Sequence, residues 1–162
     1  MTSAPLSTQA ENVARRCLAL LEEGNTAPLS GASQDEMEAG YARGCQALND
    51  GDLREATATF AFLALQQPLE RRFTFAFACA LQQQQEYRQA LTLFSYALAL
   101  RANDPFTPFH MAECLFALRE PDAAMDALDA TIALCYGQAD GNPGYTLLRQ
   151  RAQDLLDTLN QP

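Results

Sequence analysis

Residues 49–65 read NDGDLREATATFAFLAL, and the reading of this stretch decides the fold. Asn49-Asp50-Gly51-Asp52 is a strong turn signal, with short polar side chains that bond their own backbone around a glycine free to turn left-handed. The run behind it suits a helix and sets Ala56, Phe60 and Leu63 on one face. Those positions recur. Thirty-four residues further on stand Ala90, Phe94 and Ala97, and another 34 on stand Ala124, Leu128 and Thr131. Gly44, Ala78 and Ala112 keep the same interval.

A 34-residue period with small residues at two fixed places, and a bulky one four after the second, marks tandem tetratricopeptide (TPR) hairpins. The small residue at repeat position 8 lets helix A approach helix B, and the alanine at position 20 does the same from the other side. The side chain at position 24 fills the space between hairpins. The predicted units are 37–70, 71–104 and 105–138, within a repeat region of 35–138. In the second and third units the turns are Gln84-Gln85-Glu86 and Arg119-Glu120-Pro121-Asp122. Gln85 and Arg119 replace the usual glycine there, so both turns are locally less favourable. The expected fold is all-α: TPR hairpins in a short right-handed superhelix, with an added helix at each end.

The segment 1–34 is expected to hold an amphipathic helix over 8–23, ended by Gly24, and then a Pro/Gly/Ser-rich link. Val13, Cys17, Leu18, Leu20 and Leu21 form its apolar side. Solenoid ends need covering, so this helix either folds back on the repeats as a cap or buries its apolar side against a second copy; the link favours the second copy and makes these five residues the candidate dimerisation set. Ser33 opens a capping box for the next helix. The segment 139–162 is expected to supply a loop and a capping helix, Tyr145–Leu159, with Leu147, Leu148, Ala152, Leu155, Leu156 and Leu159 as its apolar stripe.

Charge narrows the function. The 162-residue chain carries eleven arginines, no lysine and a net charge of −9. Such a chain repels the phosphate backbone and anionic lipid surfaces, so neither nucleic acid nor membrane insertion is expected. Five cysteines without CxxC spacing suit reduced thiols in a cytoplasmic protein. The N-terminus lacks signal-peptide character, and no apolar run is long enough to span a bilayer.

The one histidine, His110, lies four residues before Cys114. Two ligands do not make a zinc site, and a cysteine at position 10 of a TPR helix A is expected to pack as a small hydrophobe. No P-loop, GxGxxG or HExxH is present. The chain reads as a non-enzyme without cofactor or metal, and His110 as a structural hydrogen-bonding group at the edge of a groove.

That groove is what stacked hairpins offer, lined by the A helices at positions 2, 5, 9 and 12. The first unit supplies Tyr41, Cys45 and Leu48, the second Phe75, Cys79 and Gln82, and the third Phe106, Phe109, Glu113 and Phe116. For so acidic a chain the set is apolar. It suits a largely hydrophobic peptide, with Gln82 and Glu113 for polar groups of that peptide. The alternative is a TPR scaffold or regulatory adaptor for a folded partner. That reading predicts a charged clamp in the groove, where only Glu113 and the peripheral Arg72 are visible.

Pro105, Phe109, His110, Ala112, Glu113 and Cys114, in DPFTPFHMAECLFAL, resemble the third-repeat signature of class II type III secretion chaperones of translocator proteins. NDGDLREATATFAFLAL and LQQQQEYRQALTLFSYALAL are similar to the family's first and second repeats, and the resemblance spans residues 35–136. It implies a bacterial cytoplasmic chaperone that keeps hydrophobic translocators soluble and unassembled, holding an extended segment in the groove. It also implies a homodimer through the N-terminal helix and, in some members, a link to a transcriptional regulator. Cys45 and Leu48 depart from the aromatics often found there.

Overall fold

The computed structural model describes residues 8, 9, 11–13, 15, 16, 19, 31–137 and 141–161. Seven helices follow the first few helical residues: α1 Gln34–Asn49, α2 Leu53–Gln66, α3 Arg71–Gln83, α4 Tyr87–Leu100, α5 Phe106–Ala117, α6 Pro121–Gly137 and α7 Pro143–Leu159. Each packs on the next in the chain. The odd-numbered helices also touch one another in succession, while the even-numbered ones have no comparable contacts among the described residues. The stack therefore closes on the odd side, and α1, α3 and α5 form its inner wall.

The turns repeat as faithfully as the helices. Gly51, Gln85 and Arg119 stand 34 residues apart and all take positive φ, at 80°, 65° and 62°. In each turn the next residue donates its N–H to the carbonyl five residues back: Asp52 to Ala47, Glu86 to Leu81 and Glu120 to Leu115, at 2.9–3.0 Å. This is the Schellman closure, which satisfies helix-end carbonyls. Only Gly51 adopts it without a Cβ penalty. The start of α1 is fixed by the expected capping box: Ser33 accepts from the Glu36 N–H, and Glu36 accepts from the Ser33 N–H.

Packing follows the predicted repeat positions. Ala56, Ala90 and Ala124, and likewise Phe60, Phe94 and Leu128, are fully buried. Each such large side chain contributes about 1.5–3 kcal/mol of apolar transfer. Gly44 is required by contact, because a Cβ there would lie 2.6 Å from the Phe60 ring. Polar ties join the repeats. The Gln84 amide donates to the Leu53 carbonyl at 2.8 Å. Arg71 bonds Asp104 and reaches Thr107 Oγ1 at 2.8 Å, while the Asp104 carboxylate accepts the Thr107 N–H at 3.0 Å near the start of α5.

Two expectations at the ends need correction. Val13 is fully buried in the same core cluster as Met37 and Phe60, and Arg16 Nε donates to the Leu65 carbonyl at 3.0 Å. Val13 and Arg16 thus lie against the first hairpin, and Val13 is unavailable to a second copy. Cys17, Leu18, Leu20 and Leu21 lie outside the described residues. At the other end α7 covers α5 and α6 with Leu148 and Ala152, but Leu147 is 64% exposed. Leu147 lies about 100° round the helix from Leu148 and falls outside the contact face. The helix also starts two residues earlier than expected, at Pro143, with the Asn142 side chain accepting from the Gly144 N–H.

Candidate functional site

The inner wall differs from one end to the other. In the first repeat Tyr41, Cys45 and Leu48 are half-buried and pack on the core without being absorbed by it. The Tyr41 ring leans on Phe60 and Phe73 at centroid distances of 5.9 and 5.8 Å, and burial, then Cys45, pushes its hydroxyl pKa up. The Arg72 guanidinium stands over that ring at 5.3 Å. Arg72 is tied at both sides, 2.7 Å from Glu38 and 3.3 Å from Glu70. Its hydrogen bond holds the Glu38 carboxyl below the ordinary carboxylate value.

In the second repeat Phe75 is half-buried against Phe94 at 5.5 Å and His110 at 5.6 Å, with Arg71 over its ring at 4.7 Å. Cys79 is half-buried, and burial first, then its neighbours Cys114 and Glu113, push its thiol up to about 12. Gln82 does not stand free for a ligand. Its Nε2 donates to Glu113 Oε2 at 2.8 Å across the α3–α5 boundary.

The third repeat departs most from expectation. Phe109 is only 3% exposed and belongs to a cluster with Leu128, Leu148 and Ala152. The cause is α7: its apolar stripe covers Phe109, and its Arg151 lies over the ring at 4.8 Å. Phe106 and Phe116 remain 37% and 48% exposed, and Phe106 leans on Tyr145 of α7 at 5.9 Å. Glu113 is partly buried among donors. Burial alone would raise its carboxyl, but hydrogen bonds from His110 and Gln82, with Arg151 nearby, outweigh that and hold it below the ordinary value. His110 stacks on Phe94 at 5.4 Å, and its Nδ1 lies 3.0 Å from Glu113 Oε2.

Cys114 is fully buried, and its thiol is pushed up to about 12 by that burial and then by Glu113. A thiol so raised is a poor nucleophile at neutral pH. Among the described residues no group of three or more His, Cys, Asp or Glu is placed to hold a metal ion. None of their helices is long and apolar enough to cross a membrane.

Sequence reasoning missed two features of this wall. The Glu38–Arg72 link joins opposite charges at the same position of adjacent repeats, a signal that could have been read from the 34-residue interval. Arg151 over Phe109 could not, because α7 lies outside the repeat period.

Stacked TPR hairpins around a half-buried, largely apolar wall define a helical-repeat binding protein. The Tetratricopeptide repeat family TPR_3 matches residues 73–104. Chaperone protein SicA of Salmonella typhimurium is 28% identical over 120 residues, 74% of this chain and 73% of SicA. Two solved structures of PcrH, a protein of Pseudomonas aeruginosa, are each 30% identical to this chain. One is bound to the chaperone binding region of PopD, with a TM-score of 0.75 and coverage of 81% of this chain and 96% of PcrH. The other is bound to the chaperone binding region of PopB, with a TM-score of 0.72 and coverage of 79% and 100%. The chain belongs to the class II type III secretion translocator chaperones, a family built of tetratricopeptide repeats.

Proposed function

We propose that this protein is a bacterial cytoplasmic chaperone that holds an extended hydrophobic segment of type III secretion translocator proteins in its inner groove. Held there, the translocators stay soluble and unassembled before secretion. Binding alone does the work, without ATP and without a chemical step: capture lowers the free concentration of an aggregation-prone client by mass action. One observation carries the reading. The inner wall keeps Tyr41, Cys45, Leu48 and Phe75 half-buried, presenting apolar surface that the fold does not consume. The two PcrH complexes, with PopD and with PopB, support a client of that kind.

The groove belongs to residues 35–138, with the segments before and after it acting as covers. Self-association through Cys17, Leu18, Leu20 and Leu21 is part of the proposal, as is a link to a transcriptional regulator; Val13, buried against the first hairpin, is left out of that interface. An adaptor for a folded partner is less well supported, because Arg72 is already paired with Glu38 and Glu70.

Titration calorimetry with the chaperone-binding region of PopD tests the reading. Cys45→Glu with Leu48→Glu places two charges in the first-repeat wall and is expected to abolish binding while the helical circular dichroism persists. Unchanged affinity in a folded double variant would show that the groove is not the client site.

A further inference from the structure

Glu113 occupies repeat position 9, where the other two repeats carry Cys45 and Cys79. A carboxylate in an apolar wall is unfavourable unless it is paired. Its Oε2 is held by two neighbours, Gln82 at 2.8 Å and His110 at 3.0 Å. These fix the group and aim the other oxygen. Oε1 has a looser partner, Arg151 Nη2 at 3.6 Å. The same guanidinium lies over the Phe109 ring at 4.8 Å, although the Arg151 side chain is 58% exposed. Carboxylate and ring face together form a cation site, with the charge met on one side and the ring quadrupole on the other. Its present occupant is anchored from a more exposed helix face, and exposed ion pairs of this length hold weakly.

We propose that the Phe109 ring and Glu113 Oε1 form a specificity pocket for a lysine or arginine side chain of the client segment, a pocket that Arg151 fills when no client is bound. The inference rests on the groove reading above and adds one charged contact to its apolar ones. Arg151 is then a competitor. Its displacement frees the ring face that it now covers, while Leu148 and Ala152 keep the rest of Phe109 packed. The acidity of the chain works in the same direction, favouring a client segment with positive charge.

The test is an arginine scan of the chaperone-binding region of PopD, one position at a time, measured by calorimetry against the wild type, Arg151→Ala and Glu113→Gln. At one position arginine is expected to strengthen binding to Arg151→Ala by about three- to thirtyfold. The gain should be smaller with the wild type, where Arg151 competes, and absent with Glu113→Gln. Glutamine at that position should give no gain. The pocket is refuted if no position responds in Arg151→Ala, if the gain survives in Glu113→Gln, or if glutamine matches arginine. Should Arg151→Ala fail to fold, Arg151→Gln serves in its place. Failure of the unsubstituted peptide and every variant to bind would overturn the groove reading and the pocket with it. Binding of the parent peptide without an arginine gain would overturn the pocket alone.

Discussion

The first and third repeats carry aromatic residues at the same groove position, Tyr41 and Phe109, yet one is half-buried and the other 3% exposed. The difference lies in what packs next to each. Beside Tyr41 stands Arg72, braced by Glu38 and Glu70, which leaves part of the ring open. Beside Phe109 stands a whole helix, α7, with Leu148 and Ala152 in contact and Arg151 across the ring. Repeat position therefore sets where a side chain points, and the neighbouring element sets whether a ligand can reach it. The groove has an open apolar end and a closed, polar one.

Substitutions at matched repeat positions can break or sharpen this contrast. The largest effects belong to position 24, where both ends are equally buried. Phe60→Ala should cost about 3–5 kcal/mol and Leu128→Ala about 2–5 kcal/mol in urea unfolding. A loss confined to one repeat would mean that the stack does not unfold as a unit. Position 8 should separate the ends. Gly44→Ala forces a Cβ against the Phe60 ring and is expected to destabilise by about 1–3 kcal/mol, whereas the third repeat already accommodates Ala112 at full burial. A neutral Gly44→Ala would show that α1 and α2 can part without loss.

Glu113 gives the closed end a partly buried carboxylate whose pairing makes stability depend on pH. Its carboxyl is lowered in the folded protein, so its stabilisation is complete above the unfolded value of about 4.3 and is lost as pH falls through the lower folded value. The unfolding free energy of Glu113→Gln should lie below that of the wild type at pH 7 by about 1 kcal/mol, with the gap closing toward pH 3. A gap independent of pH would remove the carboxylate from the account. The smallest effects are in the turns. Gln85→Gly and Arg119→Gly should each stabilise by about 0.5–1 kcal/mol by relieving left-handed backbone, while Gly51→Ala destabilises by a similar amount. Thermal melts of the three variants check the signs.

Much of this fold was legible in the chain because a repeat declares itself by recurrence. The 34-residue interval located the turns, including the two where Gln85 and Arg119 do a glycine's task, and it located the buried residues at positions 8, 20 and 24. The groove was legible in outline for the same reason. Its closed end was not. Phe109 matches Tyr41 and Phe75 in register, and nothing in a periodic pattern shows that a non-repeating helix will lie over it. Val13 was misjudged in the same way: an amphipathic stripe asks for a partner but does not say whether that partner is its own first hairpin or another copy. The Arg71–Asp104–Thr107 tie joins two repeat boundaries, and a reading organised around helix faces passes over it.

The central claim, that the open apolar end of the inner wall is where a client segment binds, has a direct measurement. Methyl NMR spectra of the protein should be compared with and without the chaperone-binding region of PopD. The account predicts saturable shifts at Leu48, half-buried on the inner wall, and none at Leu91, half-buried on α4 outside that wall. Shifts at Leu91 with Leu48 unmoved would contradict it.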